Sequence, residues 1–138
     1  MNGSRWSTAP LVLAMMGLLI VLTGGWVRIS EAGEACPEWP TCFGEIHPFI
    51  SEQAQEEWWA AHPDEVDSRG PGHRYSMMQI FTEWFHRLLV GVIALPMLLL
   101  TIWAVRDSTI FSRRLTGLLI GSSALLAVQA LAGYLTVE

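Results

Sequence analysis

The sequence predicts an all-α integral membrane protein with three membrane-spanning helices and a long extracytoplasmic loop between the first two. Three observations predict it. Hydrophobic residues fill 51% of the 138 positions and charged residues only 15%. The apolar residues form three long runs with the charges between them, whereas a soluble domain would alternate at period 2 or 3.6 through most of its length. Basic residues crowd the short segment between the second and third runs, and acids crowd the long segment between the first and second. The length allows a single domain, 1–138.

The first helix is expected at about 10–27, "PLVLAMMGLLIVLTGGWV", without a charge. A span needs about 20 apolar residues to cross about 30 Å of hydrocarbon, so this run is at the short end. A cleaved signal peptide is the rival reading, with Arg5 as its basic region. No Ala-x-Ala-type site follows, and Trp26 with Arg28 reads as an interfacial anchor, so a retained helix is expected. The second helix is expected at about 80–105 and the third at about 115–137, "LTGLLIGSSALLAVQALAGYLTV". The inner loop 106–114, "RDSTIFSRR", holds three Arg and one Asp. The outer loop 28–79 holds Arg28, Arg69 and Arg74 against ten acids. Short Arg-rich loops stay in the cytoplasm. The expected location is therefore a cell membrane, multi-pass, with the N-terminus cytoplasmic and residues 28–79 outside. The partner this implies is membrane lipid. The net charge of −5 argues against nucleic acid.

The outer loop opens with "EACPEWPTCFG", which contains both cysteines, Cys36 and Cys42. Outside the cytoplasm disulfides persist, and two prolines and Trp39 between the cysteines favour a compact turn. A disulfide is the first reading. Zinc held by Cys36, Cys42 and His47 is the rival, at a spacing that matches no common zinc pattern. Without a Cys-x-x-Cys-His motif, covalent c-type haem attachment is excluded. Residues 51–67, "SEQAQEEWWAAHPDEVD", fit a short amphipathic helix, either with Trp58 and Trp59 at the lipid surface or as a solvated surface helix. His62 and His73 read as solvated.

The second run contains Glu83, His86 and Arg87, three ionisable side chains that are costly in hydrocarbon. Spacings of three and four put them on one stripe of a helix, where Glu83 and Arg87 can pair. His86 lies about 9 Å inside the run's outer end. An imidazole there can bond another helix, relay protons or ligate a metal or haem iron. Gly91 and Ala94 leave room for a flat ligand, which favours haem. Gln129 on the third run lies about 12 Å from its outer end, near the level of His86. Gly121, Ser122, Ser123, Ala127, Ala130 and Gly133 suit close helix packing. A pocket in the outer half of the bundle is expected, with Gln129 touching either a ligand or a neighbouring helix.

Taken together, "GGWVRISEAGEACPEWPTCFG", "EWFHR" and "QALAGYLTV" resemble the N-terminal half of a heme A synthase. That family has Gly-Gly-x-Val-Arg-x-Ser/Thr ending its first helix, Cys-Pro-Asp/Glu-Trp-Pro-x-Cys in its outer loop, Glu-x-x-His-Arg on its second helix and Gln-x-x-x-Gly-x-x-Thr-Val closing its third. The matching residues here are Gly24 to Ser30, Cys36 to Cys42, Glu83 to Arg87 and Gln129 to Val137.

The resemblance implies a four-helix half-domain and oxidation of the C8 methyl of heme O to a formyl group, giving heme A for cytochrome oxidase. It implies heme b as cofactor, with heme O and heme A as substrate and product. By motif it makes His86 an axial ligand of haem iron and Glu83, with His86, catalytic. Cys36 and Cys42 match the family's disulfide. Arg28 and Arg87 are candidates for haem propionates, and Gln129 for contact with the cofactor. Partners it implies are heme O synthase and cytochrome oxidase.

The chain departs from the pattern by stopping at Glu138, after the third run. It is expected to lack the fourth helix and its histidine, so a missing C-terminal segment or a second chain would supply the other axial ligand. Two other classes fit parts of the sequence. A membrane haem b electron-transfer subunit would need His86 and a partner histidine, but neither Glu83 nor the cysteine loop. A non-enzymatic assembly or interaction protein would need His86 only as a hydrogen-bonding group.

Overall fold

The computed structural model describes residues 9–70, 72–107 and 109–135, with the side chains at 9–11 and 13 left aside. Four helices occur in chain order: α1 (Ala9–Ile29), α2 (Glu52–Ala61), α3 (Met77–Arg106) and α4 (Arg113–Tyr134). Among the described residues there is no strand, only an isolated antiparallel bridge between Cys42 and Glu45. α3 and α4 are long and apolar enough to cross a membrane; the apolar stretch of α1, Ala14–Ile29, is shorter. α1 and α3 run past their expected ends of 10–27 and 80–105 by one to three residues at each end. α4 begins at Arg113 rather than 115, and residues 136–138 at its expected end lie outside the described residues. The chain forms two compact units, divided between Leu88 and Leu89 within α3.

In the first unit, α1 stops because Glu31 takes a left-handed conformation (φ 54°). Ala32 N–H then donates to Val27 O (2.9 Å) and Glu31 N–H to Arg28 O (3.2 Å). This is the paired bonding of a Schellman motif, and its apolar contact is supplied by Ala32 and Val27, both buried. The chain then enters the disulfide loop. Phe43 and Gly44 both have positive φ (54° and 79°), as a type I′ turn demands of its central residues. Cys42 and Glu45 pair across that turn through two backbone hydrogen bonds.

α2 starts at Ser51, whose hydroxyl accepts from Ala54 N–H (3.1 Å) as an N-cap. Its inner face carries Gln55, whose amide behaves like a strand's peptide group. Gln55 Nε2 donates to Tyr75 O, and Tyr75 N–H donates to Gln55 Oε1, each at 3.0 Å. Both polar ends of this buried side chain are thereby satisfied. The Tyr75 hydroxyl donates to Asp67 Oδ2 (2.5 Å). Burial, helped by the neighbouring Asp67, pushes the Tyr75 phenol far above its ordinary value.

The outer segment thus has its own core: Ala32, Ala35, both cysteines, Phe43, Ile50, Trp58 and Tyr75, closed by Ile80 of α3. This corrects the expectation for the tryptophans. Trp58 is only 8% exposed and meets Phe43 edge-on at 5.6 Å, and the half-buried Trp59 packs against both. The disulfide and Phe43 offer these rings an apolar seat within the protein, so they do not need lipid to leave water.

In the second unit, Ser112 caps α4 by accepting from Leu115 N–H (3.3 Å). Ala104, Phe111 and Leu119 form its small core with Met97, Leu100 and Leu115. The buried Thr101 hydroxyl lies 2.8 Å from Ser123 Oγ, a polar link between α3 and α4. Pro96 within α3 lacks the N–H that a helix interior would use. Gln129 is exposed on α4.

Candidate functional site

The first three turns of α3 position the candidate side chains. Gln79, Glu83 and Arg87 recur every four residues, with Ile80 and Trp84 beside them, so one face of the helix is presented to the outer loop. Gln79 Nε2 donates to Ser30 O (3.2 Å) and Trp84 Nε1 to Ile46 O (2.9 Å). Between these contacts lies the disulfide loop itself. Cys36 and Cys42 are joined, with Sγ–Sγ 2.05 Å. The zinc reading, which needs both thiolates free, does not hold in this structure.

Glu83 and Arg87 grip this loop by its backbone. Glu83 is 4% exposed; its Oε2 accepts from Cys36 N–H (2.8 Å) and its Oε1 from Arg87 Nη2. Arg87 Nη2 also donates to Cys36 O (2.7 Å), while Nη1 donates to Glu38 O and, at 3.5 Å, to Thr41 O. The two side chains therefore hold both polar groups of Cys36 and two further carbonyls of the loop. The Glu38 carboxylate ties the same loop from within, accepting from the Thr41 hydroxyl (2.8 Å) and Gly44 N–H. A buried ion pair is favourable only with good geometry and with its remaining hydrogen-bonding capacity met. Here both conditions are satisfied by loop backbone.

His86 does something different. The expectation that all three groups point to one side is corrected, because residues 86 and 87 are about 100° apart around a helix of 3.6 residues per turn. His86 turns toward α1, where its Nδ1 lies 3.0 Å from Thr23 Oγ1. The half-buried ring also meets Gly24. A methyl group added there would lie 3.1 Å from His86 Cε1 and 3.4 Å from Nε2. The neighbouring Gly25 has nothing within 4 Å of such a methyl. Of the two glycines, Gly24 is the one required by a close approach.

The structure thus brings Cys36, Cys42, Glu83 and Arg87 into direct contact and sets His86 on the adjacent flank of the same helix. Arg28 is exposed near the end of α1, and Arg87 has both terminal nitrogens engaged with Glu83 and the loop. Of the two arginines considered for propionates, Arg28 is the one with an exposed side chain. Among the described residues, no cluster of three or more His, Cys, Asp or Glu side chains is arranged to hold a metal ion. Sequence reasoning missed Thr23 as the partner of His86. A threonine directly before Gly-Gly in an apolar run was the available signal.

A family described as cytochrome oxidase assembly protein matches residues 6–138 by its profile. The chain is 35% identical over 86 residues to the heme A synthase of Shewanella oneidensis, covering 62% of this chain and 23% of that protein. It is 32% identical over 128 residues to the heme A synthase-mitochondrial ferredoxin fusion protein of Schizosaccharomyces pombe, covering 88% of this chain and 20% of that protein. Against the heme A synthase of Novosphingobium aromaticivorans the identity is 34% over 98 residues, 67% of this chain and 27% of that protein. The chain therefore spans about a quarter of the length of the curated relatives it matches. No solved structure matches it. The family match runs over α1, the disulfide loop, α3 and α4, and so over every residue of the candidate site: this chain belongs to the cytochrome oxidase assembly protein family.

Proposed function

We propose that this chain is part of a heme A synthase, which oxidises the C8 methyl of heme O to a formyl group and so supplies heme A for cytochrome oxidase. The observation that carries the proposal is the division of labour on α3: a buried carboxylate anchored to a disulfide loop, and one helical step away an imidazole facing a glycine. His86 offers a neutral ring nitrogen beside a position without a side chain, a donor that fits one axial ligand of haem iron. Bound haem would supply the redox chemistry. The chain's own residues bind and position: His86 through its ring, Arg28 through an exposed guanidinium suited to a propionate, and Arg87 by keeping Glu83 and the loop in register. Glu83 is held in a water-poor setting where it can stabilise charge developing at the reacting carbon or take up a proton at its carboxylate. The other axial ligand would come from beyond this segment or from a second chain. Heme O synthase and cytochrome oxidase are proposed as partners.

In this reading α1, α3 and α4 all cross a cell membrane, with the N-terminus and residues 107–112 cytoplasmic and the disulfide loop outside. α3 has 30 residues, about 45 Å of helix, against about 30 Å of hydrocarbon. The excess of about 15 Å is about ten residues, roughly Met77 to His86. Glu83, His86 and Arg87 then sit at the outer boundary of the bilayer. This relieves the cost that three ionisable groups would carry at its centre. It also lets the irregular loop backbone meet α3 above the region where unpaired peptide groups are excluded.

The test is Glu83→Gln in the full-length protein. Glutamine keeps an oxygen to accept from Cys36 N–H but cannot carry the charge or take up a proton as carboxylate does. The expected result is retained haem, an intact disulfide loop and loss of heme A, measured by chromatography of extracted haems. A normal yield of heme A from Glu83→Gln would remove the catalytic role and leave Glu83 as a loop anchor.

A further inference from the structure

Resting on the reading of His86 as an iron ligand, we propose that Thr23 is a positioning residue that fixes the His86 tautomer and leaves Nε2 as the free electron-pair donor. The Thr23 hydroxyl lies 2.9 Å from Leu19 O and 3.0 Å from Ile20 O of its own helix, and 3.0 Å from His86 Nδ1. A hydroxyl has one proton to give and two lone pairs to accept with. Threonine within a helix commonly donates back to the carbonyl three or four residues earlier. With its proton directed there, its oxygen can only accept at Nδ1. The neutral imidazole then carries its proton on Nδ1, and the lone pair stands on Nε2.

A second, independent feature serves the same nitrogen. Gly24, the next residue along α1, faces the Cε1–Nε2 edge of the ring, and any side chain there would press on it at 3.1–3.4 Å. Among the described residues no hydrogen bond reaches Nε2, whereas Nδ1 has its partner in Thr23. Two consecutive residues of α1 thus do complementary things. One binds the far nitrogen and sets the ring's rotation; the other, having no side chain, lets the Cε1–Nε2 edge come close to α1 without being displaced. Metal-ligating histidines usually donate their second ring N–H to a polar partner, which orients the ring and raises its basicity. Here the partner is a hydroxyl already oriented by its own helix.

The experiment compares Thr23→Val, which keeps the shape and loses the hydroxyl, with Thr23→Ser, which keeps the hydroxyl. All are made in the full-length protein. In haem-free, 15N-histidine-labelled protein in mildly alkaline buffer, the His86 signals are identified by their absence in His86→Ala. Wild type and Thr23→Ser are expected to show a protonated Nδ1 and an unprotonated Nε2, and Thr23→Val a shift toward the other tautomer. On the holoprotein, haem affinity is expected to fall about 10–100-fold in Thr23→Val, the usual effect of losing such a partner, and to change little in Thr23→Ser. An unprotonated Nδ1 in the wild type would overturn the proposal, as would equal haem affinity in all three proteins. If haem is retained by His86→Ala, the underlying ligand assignment fails instead, and the tautomer measurement still decides what Thr23 does to the ring.

Discussion

Replacing His86 with alanine is expected to abolish haem retention by the full-length protein at the site on this segment. The loss follows from what else surrounds that position. Beside the ring the structure offers a glycine and a threonine hydroxyl, and neither donates to iron as imidazole does. The stability of the apoprotein should change little. The ring makes one hydrogen bond, to a hydroxyl that keeps its own donation to the backbone carbonyls of α1 when the ring is gone. A pyridine haemochrome assay on the purified variant measures the loss directly. Gly24→Val should imitate it from the other side of the contact, because its branches would occupy the space the ring now uses. Unchanged haem content in His86→Ala would remove the ligand assignment, and with it the reason for reading Gly24 as part of a site.

The largest effect on stability is expected from Arg87→Leu. That change strands the Glu83 carboxylate, 4% exposed, without its cation. It also removes the donor from the carbonyls of Cys36, Glu38 and Thr41. Removing one partner of a buried pair typically costs about 3–5 kcal/mol. The expected outcome is a lower melting temperature in detergent and faster proteolysis within residues 36–45. The double variant Glu83→Leu with Arg87→Leu should be less destabilised than the sum of the two single changes, since it leaves no uncompensated buried charge. If Arg87→Leu leaves the loop as protected as in the wild type, the clamp is not what holds it.

Much of this arrangement was legible in the sequence, for identifiable reasons. The apolar runs of α3 and α4 announce themselves by length; that of α1 is at the short end and stands out by its lack of charge. The Glu83/Arg87 pair follows from i, i+4 spacing, and the disulfide from two cysteines around a Pro-rich turn. What was not legible was where the outer segment would place its own polar groups. The Gln55 amide pairs with the backbone of Tyr75, twenty residues away, and no local pattern encodes that. For the same reason the sequence does not tell a Trp58 at a lipid surface from a Trp58 in a protein core. An amphipathic helix looks alike whether its apolar face meets a bilayer or a small core formed by Phe43 and a disulfide.

The group Glu83, His86 and Arg87 is the more instructive case. Spacings of three and four suggest a single stripe for Glu83, His86 and Arg87, yet His86 and Arg87 diverge by about 100°. That divergence separates loop anchoring from ring presentation. Thr23 escaped because a threonine in an apolar helix usually needs nothing beyond its own carbonyls. Its reach to His86 is a tertiary contact across 63 positions.

The most direct test is chromatography of the haems extracted from the purified full-length protein, expressed in membranes supplied with heme O. Heme A in the extract, absent from the Glu83→Gln variant, is the result expected of a heme A synthase built around this site. Heme b alone would contradict it and identify a membrane electron-transfer subunit. No haem at all would contradict it too, leaving His86 as a hydrogen-bonded residue in a protein whose task is assembly.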